Sequence, residues 1–136
     1  MLHPDKLEHI ARIVVDCGYH IHRDIGPGLL ESAYEALLAE GLRQQGFQVK
    51  RQVSVPLKYN GVIVDNAFKI DLLIEGCLII ELKSVDKLAP VHGKQLLTYL
   101  RLMRLPVGLL MNFGQAMFKD GLRRVVNDHR GGSYGD

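Results

Sequence analysis

At 136 residues the chain has room for one domain with a real core and is short for two. Its 47% hydrophobic and 24% charged residues are those of an ordinary soluble globular protein. The longest apolar runs are interrupted by charge well before membrane-spanning length, so no membrane partner is expected. A net charge of +2 and a pI near 8.6 permit a nucleic-acid partner without arguing for one. Cys17 and Cys77 show neither metal-site spacing nor a disulfide framework. With no signal-peptide pattern either, the expected compartment is the reducing cytoplasm.

In chain order, Leu7, Ile10, Val14, Cys17 and Ile21 recur at three- and four-residue steps, predicting an amphipathic helix over 7–21. "DIGPG" ends it, and a second helix is expected from about Leu29 to Gln45, stopped by Gly46. "FQVKRQVSVPLKY" then alternates in strand period, with Asn60-Gly61 as a hairpin turn. "VIVDNAFKIDLLI" and "CLIIELKSV" supply further strands. Pro90 opens a third helix to about Met103, closed at Leu105-Pro106. "VGLLMNF" is a continuous apolar run, hence a buried strand, and "GLRRVVN" a short last one. The order ααβββαββ implies an α/β sandwich with one mixed sheet flanked by helices. Residues 1–128 are expected to form the domain, and 129–136 ("HRGGSYGD") a tail that is disordered by composition.

The segment "AFKIDLLIEGCLIIELKSV" carries Asp71, Glu81 and Lys83 amid Ile and Leu, where desolvating each charge is costly. A three-residue loop, Glu75-Gly76-Cys77, pairs Ile74 with Leu78 and sets Asp71 directly opposite Glu81. It places Lys83 on the same face, opposite Lys69, and leaves Ile70, Leu72, Ile74, Leu78, Ile80 and Leu82 on the other. Two carboxylates opposed in this way repel, and one takes a proton unless a cation intervenes. All-oxygen ligands suit Mg²⁺, with Mn²⁺ as substitute. The structural alternative is a buried Glu81–Lys83 ion pair, with Asp71 solvated at a strand end.

Asp71 followed by Glu81-Leu82-Lys83 resembles the signature of the PD-(D/E)XK nuclease superfamily, with Ile70 rather than Pro before Asp71. "GLLESAY" (Gly28, Glu31, Tyr34) is similar to the signature of the GxxExxY family, small bacterial members of that superfamily. "IHRDIGPG", "KIDLLIE", "IIELKSV", "HGKQLLTYL" and "VGLLMNFG" extend the likeness, in order, over roughly residues 7 to 126. The resemblance implies a restriction-endonuclease-like core and hydrolysis of phosphodiester bonds, in DNA first of all, with Mg²⁺. It implies Asp71, Glu81 and the Leu82 carbonyl as metal ligands and Lys83 as the catalytic lysine. Glu31 would approach the metal directly or through water. Gln95 and Tyr99, similar to a QxxxY motif and sharing one helix face, would hold the phosphate or its attacking water.

Other residues carry less. His20 and His22 point apart on a helix and are not expected to share a metal. Tyr34 reads as packing, His22 as packing or capping, and His92 as solvated near the site. Lys50, Arg51, Lys94, Arg101, Arg104, Arg123 and Arg124 are basic residues able to follow a phosphate backbone, and equally a solvated surface. The alternative functions are a catalytically silent nucleic-acid-binding or protein-interaction module on the same fold, and a scaffold with buried ion pairs. In so small a domain, selectivity is expected to come from a homodimer or a partner protein.

Overall fold

The computed structural model describes residues 3–128; the expected tail lies outside them. Helix α1 spans Pro4–Ile25, α2 Glu31–Gln44 and α3 Pro90–Met103. The strands are β1 Val49–Tyr59, β2 Val62–Ile74, β3 Leu78–Lys83, β4 Val107–Asn112 and β5 Leu122–Val126. They form one sheet in the order β1-β2-β3-β4-β5, with β3 and β4 parallel and the other neighbours antiparallel. The mixed sheet with its flanking helices is the restriction-endonuclease-like architecture expected, in the order ααβββαββ.

Helix α1 runs past the expected 7–21 at both ends. Pro4 occupies the first turn, where its missing N–H is harmless, and His3 Nδ1 accepts from the Asp5 N–H at 3.1 Å. At the other end it continues through His22, Arg23, Asp24 and Ile25 until Gly26, whose φ of 80° suits glycine. A short 3₁₀ turn, Phe118–Gly121, precedes β5 and has no periodic signal to announce it.

Two apolar layers hold the sheet. On one face, Leu7, Ile10 and Val14 of α1 and Leu38 and Leu42 of α2 pack on Leu72, Ile74, Leu78, Ile80 and Leu82. On the other, Leu96 and Leu100 of α3 pack on Ile70, Leu73, Ile79 and Leu110. Strands β3 and β4 are thus covered on both sides, which is why they read as continuous apolar runs. Ile70 corrects the expected face assignment: it packs under α3, opposite Leu72. The sheet rotates at Asp71, and a strict period of two does not hold across that step.

Tyr34 organises the turn into α2. Its ring, 0% exposed, stacks on Phe113 at 4.4 Å between centroids. Its hydroxyl donates to the Gly26 carbonyl at 2.6 Å and accepts from the Leu29 N–H at 3.1 Å. The packing role expected of it therefore comes with two hydrogen bonds. Tyr34→Phe leaves both backbone groups without that partner and should cost about 1–3 kcal/mol. The check is a melting temperature lower by several degrees.

Candidate active site

The β2–β3 register is the one the three-residue loop implies: Ile74↔Leu78, Leu73↔Ile79 and Leu72↔Ile80. Glu75 and Gly76 take the left-handed positions, with φ of 53° and 67°. Past Leu72↔Ile80 the carboxylates link the strands. Glu81 Oε2 accepts from the Asp71 N–H at 2.8 Å, and Asp71 Oδ2 accepts from the Leu82 N–H at 2.8 Å. Each acid thus reaches across to the other strand's backbone. The Leu82 N–H points toward β2, and in an extended strand the carbonyl of the same residue points the same way. The three groups implied as metal ligands therefore lie at one strand junction.

The electrostatics follow from burial. Glu81 is 6% exposed, and burial, reinforced by the Asp71 charge, pushes its carboxyl up to about 8. Burial also raises Asp71, although the Leu82 N–H bond opposes the shift. Lys83, half-buried, lies within electrostatic reach of both acids. Its carbonyl accepts from the Phe113 N–H at 2.9 Å, fixing its backbone against β4. The segment after Lys83 is stapled by the buried Asn112, whose Oδ1 accepts from the Val85 N–H and whose Nδ2 donates to the Val85 carbonyl.

The flanking helices contribute unequally. Tyr99 on α3 stacks on Phe68 at 4.3 Å, nearly parallel, and its hydroxyl pKa is raised by burial and by the Glu81 and Asp71 charges. Gln95, one turn earlier, is exposed on the same side of α3. Glu31, the first residue of α2, is exposed. Among the described residues no three His, Cys, Asp or Glu side chains are grouped to hold one ion.

The acid that α2 does bring to the junction is Glu35, one turn on and 5% exposed. Arg51 Nε donates to its Oε2 at 2.9 Å, and Gln52 Nε2 to its Oε1 at 2.6 Å. Gln52 Nε2 also donates to Asp71 Oδ1 at 3.2 Å. Sequence reasoning passed over Glu35 and Gln52. The available signal was the Glu31/Glu35 spacing, which puts a second acid on the same helix face, together with the Arg51 that interrupts an otherwise alternating strand.

The histidines serve structure. His20 is exposed and bonds the Asp16 carbonyl, whereas His22 is buried and bonds the Gln115 carbonyl at 2.7 Å. They diverge as the helix spacing requires. His92 Nδ1 accepts from the Ala89 N–H, capping α3. Of the basic residues, Arg51 is paired with Glu35 and Arg124 with Glu8. No helix among the described residues is long and apolar enough to cross a membrane.

Comparison with curated proteins and with solved structures returns no match. A family model described as the PD-(D/E)XK nuclease superfamily matches residues 8–125, from the first turns of α1 into β5. That span takes in β1 to β4, most of β5 and the acidic junction, and the chain belongs to the PD-(D/E)XK nuclease superfamily.

Proposed function

We propose that the protein is a divalent-metal-dependent nuclease that hydrolyses phosphodiester bonds, with DNA as its first substrate and the cytoplasm as its setting. The observation that carries this reading is the junction at Asp71 and Glu81. Burial and the neighbouring Asp71 charge push the Glu81 carboxyl up to about 8, and burial also raises the half-buried Asp71, although Lys83 opposes both shifts. The donor set is all oxygen, which fits a hard cation such as Mg²⁺, or Mn²⁺ in its place. Asp71, Glu81 and the Leu82 carbonyl would hold it, with water completing the shell. The chemistry such an ion supplies is polarisation of the phosphate and acidification of a bound water.

The chain's own residues do the rest. Lys83 offers a positive charge beside the acids, suited to orienting the attacking water and to meeting charge that develops on the phosphate. Gln95 and Tyr99, on the helix that covers this side of the sheet, would steer substrate toward the junction, a role supported by the charges of Glu81 and Asp71 felt at Tyr99. Incubating single-stranded, duplex and branched DNA, and RNA, with Mg²⁺ or Mn²⁺ tests the proposal. Cleavage lost on chelation is expected, and no cleavage of any substrate with either metal would reject it.

Asp71→Asn separates a metal site from a structural ion pair. The change removes a charge that Glu35 opposes and that itself raises the Glu81 carboxyl. The metal-free melting temperature should change little, because the repulsion lost is offset by an amide NH2 set against either the Leu82 N–H or the Gln52 amide, and the upward shift produced by Mg²⁺ should shrink. An ion-pair role gives the reverse, a clear loss of stability with no metal dependence.

A further inference from the structure

Gln52 departs from the pattern of β1 in two ways. Its φ of 50° is left-handed in the interior of a strand, a conformation that a residue with a Cβ keeps only where its surroundings hold it. The ribbon also changes face there. Val49 packs with Leu72 and Ile74 beneath α1 and α2, whereas Val53 packs with Ile70 against α3. Four residues along a regular strand return a side chain to its starting face. The pairs Arg51↔Leu72 and Val53↔Ile70 bracket Gln52 and Asp71, so the rotation falls at this step.

The side chain shows what the rotation achieves. The amide nitrogen donates to two carboxylates, Glu35 at 2.6 Å and Asp71 at 3.2 Å. Carboxylate oxygens only accept, so the amide must present its nitrogen, with one hydrogen for each. Glu35 is itself held by Arg51. Asp71 is therefore tied at both oxygens, Oδ2 to the backbone of β3 and Oδ1 to an amide anchored on α2. A neutral donor orients the carboxylate without supplying a cation that would compete with a metal ion for it.

We infer that Gln52 is a positioning residue for Asp71, its amide aimed by the left-handed backbone and braced by the Glu35–Arg51 pair. The consequence for metal affinity rests on the nuclease reading; the placement of Asp71 does not. Two variants separate side chain from backbone. Gln52→Gly suits the left-handed conformation and removes the amide, while Gln52→Met keeps the length and removes the donor.

Amide hydrogen exchange at Leu82 reports where the Asp71 carboxylate sits without any metal. Both variants should lose protection at Leu82 by about tenfold or more, while the Leu73–Ile79 ladder stays protected. Calorimetric titration with Mn²⁺ alone should show affinity lower by about 10- to 100-fold, the usual effect of losing a group that orients a ligand. A merely structural role for Gln52 predicts that Gln52→Gly, once folded, leaves both readouts unchanged, and that result would overturn the inference. If the unmodified protein binds no Mn²⁺ while the variants still lose Leu82 protection, the nuclease reading fails and the positioning role stands.

Discussion

Lys83→Ala is expected to abolish measurable cleavage while the fold, DNA binding and divalent-ion binding survive. Loss of one electrostatic contact made in the transition state commonly lowers the rate by about 10²–10³. The fold should survive because the backbone of Lys83 is held independently of its side chain, through the Phe113 N–H and the parallel pairing with Asn112. The substitution also withdraws a charge from a half-buried position, which offsets part of the packing lost with the stem. A lysine that served only as counter-ion to the acids would behave differently, because its removal would leave the buried Glu81 and half-buried Asp71 without that positive charge and the protein unstable or insoluble. Circular dichroism, DNA binding in Ca²⁺ and cleavage in Mg²⁺, measured on one preparation, distinguish the two. A rate that falls with binding intact marks an interaction made only in the transition state. Full-speed cleavage by the folded variant would take Lys83 out of the mechanism.

Where local rules hold, the sequence foretells the structure. The alternation of Leu72, Ile74, Leu78 and Ile80 across a three-residue loop dictated the register that brings Asp71 and Glu81 together, and the structure has that register. The order of helices and strands was legible for the same reason, since each element carries its own period and its own stop. What escaped was set by other elements. Ile70 sits under α3 because the ribbon rotates at Gln52 and Asp71, and a period-two count assumes a regular strand. Glu35 escaped because its partners Arg51 and Gln52 come from β1, which only the fold brings over it. The extension of α1 to Ile25 runs through the polar His22, Arg23 and Asp24, and the signal for it was Ile25 itself, one four-residue step past Ile21. The site was thus readable as far as one hairpin defines it. The contribution of α2 depended on tertiary packing.

The stability of the metal-free protein is expected to depend on pH chiefly through Glu81. Its carboxyl rises from an ordinary 4.5 to about 8 in the folded state, through burial first and the Asp71 charge second. A raised folded pKa means that the folded state binds the proton more tightly than the unfolded chain. The associated stability is complete below about pH 4.5 and is lost as pH rises through about 8. The shift corresponds to about 3–5 kcal/mol across that window, and the raised pKa of Asp71 acts in the same direction. Glu81→Gln imitates the protonated acid. Its metal-free form should therefore lose most of this slope and melt well above the parent protein at pH 8–9. Metal binding reverses the ranking, because the ion needs the carboxylate and expels the proton. Below about pH 8 the parent protein should release one proton for each ion bound, and its affinity should climb about tenfold per pH unit before levelling off. Titrating Mg²⁺ calorimetrically in buffers of different ionisation enthalpy counts that proton directly. A parent protein whose metal-free stability is flat from pH 5 to 8, and which binds Mg²⁺ without releasing a proton, would show that Glu81 is already ionised and that the junction does not lack positive charge.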